Sequence, residues 1–359
     1  MSLRVTLQHQ FPGFSLDLDF DVPEGITVLF GRSGSGKSTV LRAIAGIFKP
    51  DHARIVLSDR VLCDSETGPC LPPHKRRIGM IFQDARLFPH LTVAQNLAFG
   101  RRFSKRDVPQ HEVAKMVEML GIGALLDRHP EGLSGGEQQR VAIGRALLSG
   151  AEMILADEPL AALDDARKAE ILPYFERLRD EIAIPVLYVS HSPAEVARLA
   201  TTVIALEAGR VIGQGSAEAV LGNPAVLPVG AKGAGAVIRA KVLAHHPDGL
   251  TELSAGGEAL FLPHLAADPG AEIRLRIAAH DVILAPERPT GLSALNILTG
   301  TIVEMSEAQG PAVLVALQTG AGRVLSRVTT RSVAALGLRV GSGCHAVIKT
   351  ASMAQDNIA

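Results

Sequence analysis

Apolar residues follow two rhythms along the first two-thirds of the chain. Near the start, "RVTLQ" (4–8) and "FSLDLDFDV" (14–22) alternate apolar and polar positions. Period two predicts strands with one buried face, paired in an antiparallel subsheet. Near-continuous apolar runs follow: "ITVLF" (26–30), "IGMIF" (78–82), "MILAD" (153–157), "VLYVS" (186–190) and "VIAL" (203–206). Between them, 37–47, 110–120, 135–149 and 165–181 have helical character. Strands apolar on both faces and alternating with helices predict a mostly parallel sheet covered on both sides.

The rhythm changes after "GNPAVLPVGAKGAGA" (222–236), whose Gly, Pro and Ala content predicts a linker. Beyond it come "VIRAKVLAH", "IRLRIAAHDVILA", "NILTGTIVEM", "AVLVALQ", "RVLSRVT" and "HAVIKT", short strands separated by turns, and only "TRSVAALGL" looks helical. Such spacing predicts a small β-barrel or sandwich. The expected division is a first domain over 1–229, a linker and first β segment over 230–290, and a final β domain over 291–354.

Composition narrows the class. The chain has 359 residues, too many for one ordinary domain. No apolar run approaches the ~18–20 residues that span a bilayer, and the N-terminus lacks a signal-peptide pattern. A net charge of −1 without basic blocks argues against a nucleic-acid partner. Cys63, Cys70 and Cys344 form no CxxC, and the expectation is a reduced, cytoplasmic chain.

The chemistry begins at "GRSGSGKST" (31–39). Gly31-x-x-x-x-Gly36-Lys37-Ser38 between an apolar strand and a helix is a P-loop pattern. Glycines let the backbone wrap phosphates, Lys37 neutralises their oxygens, and Ser38 offers a hydroxyl to Mg²⁺. In "MILADEP" (153–159), Asp157 and Glu158 emerge at the carboxyl end of a buried strand, the edge where open α/β sheets bind ligands. Asp157 suits the Mg²⁺ shell and Glu158 can polarise a water. His191, past "VLYVS", can stabilise charge near the terminal phosphate. Gln83, ending "IGMIFQ", is placed to reach Mg²⁺ or the water. The remaining histidines, His245 and His246 included, lack metal-ligand spacing. A second anion-grade helix start, "LSGGEQQR" (133–140), stands far from the P-loop in sequence.

These motifs, with the "ALD" of Ala162–Asp164, occur in the order and spacing of ABC transporter ATPases, which the chain resembles over residues 1 to about 229. The resemblance implies a P-loop α/β domain with a RecA-like core, an antiparallel subsheet and a helical subdomain. It implies ATP and Mg²⁺, with Gly31, Arg32, Ser33, Gly34, Ser35, Gly36, Lys37, Ser38 and Thr39 on the nucleotide. Ser38, Gln83 and Asp157 would serve the metal; Glu158, His191 and Gln83 would serve catalysis. It also implies a head-to-tail homodimer in which Ser134, Gly135, Gly136 and Gln138 cap the partner's ATP beside Asp164. The family expects an adenine-stacking aromatic, for which Phe11 and Phe14 are the nearby candidates.

"FPHLTVAQNLAFG" (88–100) looks like the importer form of the segment that docks onto a membrane subunit. Residues 291–354, through "LSALNILTGTIVEM" and "HAVIKTAS", resemble the Mop module, an OB-like all-β domain of molybdate importer ATPases. The implied protein is a peripheral ATPase at the cytoplasmic face of the inner membrane, bound to two copies of a separate permease. An extracytoplasmic binding protein would deliver molybdate, with tungstate as a close analogue. The alternatives are an importer of sulfate or another solute, and a soluble ABC ATPase outside transport. An oxyanion site is expected from Ser293, Asn296, Lys349 and Thr350, with Leu295 standing where the module commonly has arginine.

Overall fold

The computed structural model describes residues 2–68, 70–103, 108–161, 163–181, 184–223, 226–228, 233–307 and 312–350. The chain divides into two units, Met1–His191 with Thr201–Ile212, and Ser192–Ala200 with Gly213–Ala359.

The first unit is built on a ten-stranded sheet. Its strands are β1 (Leu3–Phe11), β2 (Phe14–Val22), β3 (Ile26–Phe30), β4 (His52–Leu57), β5 (Arg60–Asp64), β6 (Ile78–Ile81), β7 (Met153–Asp157), β8 (Val186–Ser190), β9 (Thr202–Glu207) and β10 (Arg210–Gly215). Its helices are α1 (Lys37–Ala45), α2 (Val93–Phe99), α3 (Gln110–Met119), α4 (Gly135–Leu147) and α5 (Asp165–Glu181), while α6 (Pro193–Leu199) and α7 (Ala217–Leu221) belong to the second unit. Strand order is β5-β4-β1-β2-β10-β9-β3-β8-β7-β6.

The period-two segments pair antiparallel, with Val5 opposite Phe20 and Leu7 opposite Leu18, and their apolar faces are buried. The hairpin of β4 and β5, which the apolar pattern did not single out, extends this subsheet. The near-continuous runs become parallel strands β9, β3, β8, β7 and β6. Every residue of β3 and β8 is buried, as a strand covered on both faces requires.

The fold brings one pair of cysteines together. Cys63 and Cys70 are joined in a disulfide, and Cys344 is free and buried. Asp64 accepts from the N–H groups of Glu66 and Thr67, and the chain returns so that Leu71 N–H bonds Leu62 O. That tight turn sets the two sulfurs side by side.

In the second unit, β11 (Gly235–His245), β12 (Leu250–Ala255), β13 (Glu258–Pro263) and β14 (Glu272–Ala278) form one sheet, ordered β13-β12-β11-β14. The strands β15 (Val282–Ala285), β16 (Asn296–Glu307), β17 (Ala312–Thr319), β18 (Gly322–Thr329) and β19 (Gly343–Ile348) form the other, ordered β15-β19-β16-β17-β18. Both sheets are antiparallel and share one core that includes Ile238, Leu253, Leu275, Ile302, Val315 and Ile348. The helical "TRSVAALGL" is α8 (Thr330–Leu336).

Two details differ from the pattern-based expectation. "IRLRIAAHDVILA" is two strands, because a 3-10 turn at Ala279–Asp281 passes the chain from one sheet to the other. The hairpin β12–β13 turns at Gly256 and Gly257, with φ of 55° and 86°. Two successive positive φ values mark the mirror-image turn that matches strand twist. Parts of the expected linker, residues 224–225 and 229–232, lie outside the described residues, as do 351–354 of the expected β domain.

Candidate functional site

Four adjacent strands deliver the chemistry to one edge. In the order β3-β8-β7-β6, their carboxyl ends lead into the P-loop, His191, Glu158 and Gln83 respectively. The register confirms the neighbours: Phe30 pairs with Ser190, Asp157 with Val189, and Ile81 with Ala156.

The P-loop conformation depends on glycine. Gly34 and Gly36 have φ of 83° and 101°, a region L side chains avoid. A Cβ on Gly36 would also lie 2.5 Å from Leu16 Cδ2. Gly36 is the N-cap of α1, with no side-chain cap, so the helix start presents free backbone N–H groups. Lys37 is 4% exposed and its Nζ donates to the carbonyls of Gly31 and Arg32, both at 2.8 Å. Burial pushes the ammonium below its ordinary pKa, against the opposing pull of Glu158 and Asp157. Ser35 Oγ is buried and without a partner among the described residues. An orphaned hydroxyl inside a glycine cradle fits a ligand rich in oxygens.

Ser38 Oγ donates to Asp157 Oδ1 at 2.8 Å. A hydroxyl beside a carboxylate is the hard-oxygen set that Mg²⁺ prefers, so these residues fit that cation. Glu158 has φ of 45°, unusual for a non-glycine residue and a local strain. Its Oε2 lies 3.1 Å from His191 Nδ1. Gln83 is exposed just past β6 and bonds neither acid among the described residues.

The signature segment is a helix start of another kind. Ser134 caps α4 in a reciprocal box: its Oγ accepts from Glu137 N–H at 3.3 Å, while Glu137 Oε2 accepts from Ser134 N–H at 2.7 Å. Those bonds hold the Glu137 carboxyl below its ordinary pKa. Gln138 turns inward and donates to Pro130 O and Leu133 O. Asp164 caps α5, accepting from Arg167 N–H at 2.9 Å, and Arg167 lies beside Gly135. Ala162 lies outside the described residues. No hydrogen bond or ion pair joins residues 133–140 to the P-loop of the same chain among the described residues.

Of the adenine candidates, Phe14 lies against the P-loop, its ring 3.2 Å from where a Gly36 Cβ would stand. Phe11 stacks on Phe48 instead. Sequence reasoning passed over Glu137, although Ser-x-x-Glu before a helix is a legible capping box. It also passed over Gln139 and Arg145 of α4, whose contacts are purely tertiary.

In the second unit, Asn296 pairs with Ile348, so Ser293 and Asn296 share one sheet end with Lys349 and Thr350. Asn296 has a different task from the one expected. It is fully buried; its Oδ1 accepts from Phe261 N–H at 2.7 Å, and its Nδ2 donates to Phe261 O at 2.9 Å and Thr350 Oγ1 at 3.3 Å. Its amide joins β16 to β13 through Phe261 and also holds Thr350 beyond β19, which corrects its role as a free donor. Ser293 and Lys349 are exposed, and Leu295 is 53% exposed. No cluster able to hold a metal by His, Cys, Asp and Glu occurs among the described residues.

The chain matches the family described as ABC transporter over residues 16–161 and the TOBE domain over residues 292–355. It is 50% identical over 359 residues to a Mesorhizobium japonicum protein named molybdenum import ATP-binding protein ModC, covering 99% of this chain and 97% of that one. A Rhizobium meliloti protein of the same name is 51% identical over 358 residues, covering 98% and 99%. Among solved structures, cbiO1 from Clostridium perfringens, described as part of the ABC transporter complex cbiONQ, is 28% identical with a TM-score of 0.53, covering 62% of this chain and 92% of that one. Nucleotide motifs, fold and full-length relatives agree: the chain belongs to the ABC transporter ATP-binding family, in the branch of the molybdenum import ATP-binding proteins.

Proposed function

We propose that this chain is the ATP-hydrolysing subunit of an importer that carries molybdate across the cytoplasmic membrane. The observation that carries this reading is the match of about half the residues over nearly the full length, β-rich tail included, to proteins named for molybdenum import. The converging strand ends support the ATPase chemistry. Lys37 and the N–H groups of residues 31–39 would receive the phosphates, with Ser38, Asp157 and Gln83 holding Mg²⁺. When bound, that cation spreads the charge building on the phosphate oxygens. Glu158 would take a proton from the attacking water, and His191, its Nδ1 3.1 Å from Glu158 Oε2, would orient that carboxylate and offer an N–H near the terminal phosphate.

Two such chains, head to tail, would close over two nucleotides, each Ser134–Gly136 segment on the partner's ATP. The capped start of α4, separate from its own P-loop, supports that arrangement. No helix among the described residues is long and apolar enough to cross a membrane. Passage would therefore fall to a separate permease, with a binding protein delivering the anion. An apolar hollow of about 580 Å³ between α2 and α3, lined by Leu97, Val113, Val117 and Leu126, supports docking of that permease. Domain boundaries near 229 and 291 accompany this reading, as does an oxyanion contact at Ser293 and Lys349.

The test is ATPase activity of the reconstituted complex with binding protein loaded with molybdate, tungstate or sulfate. Stimulation by the molybdate- and tungstate-loaded forms is expected. Stimulation by sulfate alone would overturn the substrate assignment.

A further inference from the structure

Between β6 and α2 the chain passes through residues 82–92 without helix or strand, carrying Gln83 at its start. Three side chains from neighbouring helices hold this loop by its backbone. Gln139 Nε2 donates to Phe82 O at 3.3 Å. Arg145 Nη2 donates to Ala85 O at 3.1 Å and its Nη1 to Arg86 O at 2.9 Å. Asn96, fully buried on α2, accepts from Phe88 N–H at 2.9 Å and donates to the carbonyls of Phe88, Leu91 and Thr92.

Arg145 is the unusual member. Burial lowers its pKa, and no carboxylate bonds it among the described residues. A half-buried cation is costly unless its N–H groups are used, and here backbone carbonyls use two of them. Its guanidinium also lies 5.3 Å from the Phe88 ring centre. The segment it grips is strained, with Arg86 at φ of 46°. Release of this grip would let the strain relax and the loop move.

Both Gln139 and Arg145 belong to α4, the helix that Ser134 caps. Arg145 stands eleven residues from that cap, about 16 Å along a rigid helix. The far end of α4 thus holds the loop of its own chain's Gln83.

We propose that Arg145 is a positioning residue for Gln83: by holding the backbone of Ala85 and Arg86 against α4 of its own chain, it keeps Gln83 in that chain's nucleotide site. This rests on the head-to-tail reading above. The test uses mixed full-length dimers with a single working site. One chain carries Ser134→Arg and supplies the P-loop and Gln83; the other carries Lys37→Ala and supplies the signature. Arg145→Gln is then added to either chain. Placed with the working P-loop, it should lower kcat about tenfold with KM for MgATP held within about twofold, the size expected of a misplaced group. The loss there should exceed the loss on the signature chain by about fivefold or more. Equal losses, or a greater loss on the signature chain, would overturn the proposal. If the parent pair itself is inactive, the head-to-tail reading fails instead, and hydrogen exchange then decides. The amides of Phe88 and Leu91 in full-length Arg145→Gln should exchange about tenfold faster while those of α4 keep their rates. Unchanged exchange at both would overturn the tie.

Discussion

Lys37 shows how the site stores its readiness in one side chain. A buried ammonium held by two carbonyls, with the Glu158 and Asp157 charges nearby, is incompletely compensated until phosphate oxygens arrive. Lys37→Ala is therefore expected to abolish tight MgATP binding and turnover, and near-normal turnover in the purified variant would refute the P-loop role. Glu158 asks a different question, because it contributes a proton acceptor and not charge for binding. Glu158→Gln should bind ATP, stall hydrolysis and accumulate as an ATP-bound dimer on size exclusion. Asn296 makes the opposite case, a polar residue whose bonds are all internal. Asn296→Ala leaves the partly buried N–H and C=O of Phe261 without these partners, a loss of about 1–3 kcal/mol. Urea unfolding of the full chain, with and without molybdate, would check it; stability equal to wild type would contradict the clamp.

At the scale of elements, two helix starts that look alike in sequence are prepared differently. The start of α1 is bare, while that of α4 carries its own carboxylate. Because Glu137 has a native pKa below its unfolded value of about 4.5, its contribution is full above that value and fades as pH falls through the lowered native one. Glu137→Gln keeps a capping amide without the proton linkage. Its unfolding midpoint should therefore fall less than the wild type's as pH drops below about 4.5, read by thermal melts across that range. Parallel curves for the two proteins would count against the box as the cause. The β12–β13 hairpin teaches a related lesson. Its Gly256-Gly257 turn is a hairpin signal that went unread, since the first strand, "LTELSA", has only three apolar positions and does not stand out.

For the whole molecule, the separation of the signature from its own P-loop predicts behaviour that no single chain can show. Ser134→Arg and Lys37→Ala should each be inactive alone, since every composite site then lacks one half. Mixed, they should recover activity from the one site with both halves intact. Absence of recovery in confirmed heterodimers would refute the head-to-tail assembly.

The sequence by itself determined the parts that depend on local order. The near-continuous apolar runs marked β3, β7 and β8 to the residue, because strands covered on both faces admit few polar residues. The P-loop and the acidic strand end were legible because their chemistry is carried by consecutive residues. Only the tertiary structure decided which strand ends become neighbours, so that Glu158 meets His191 across β7 and β8. It alone showed that Asn296 is a clamp and that Arg145 grips a loop nearly sixty residues away in sequence. Cys63 and Cys70 met for the same reason, through a turn that their spacing does not announce. Periodicity records which face of an element avoids water; it does not record which distant carbonyl a buried side chain will reach.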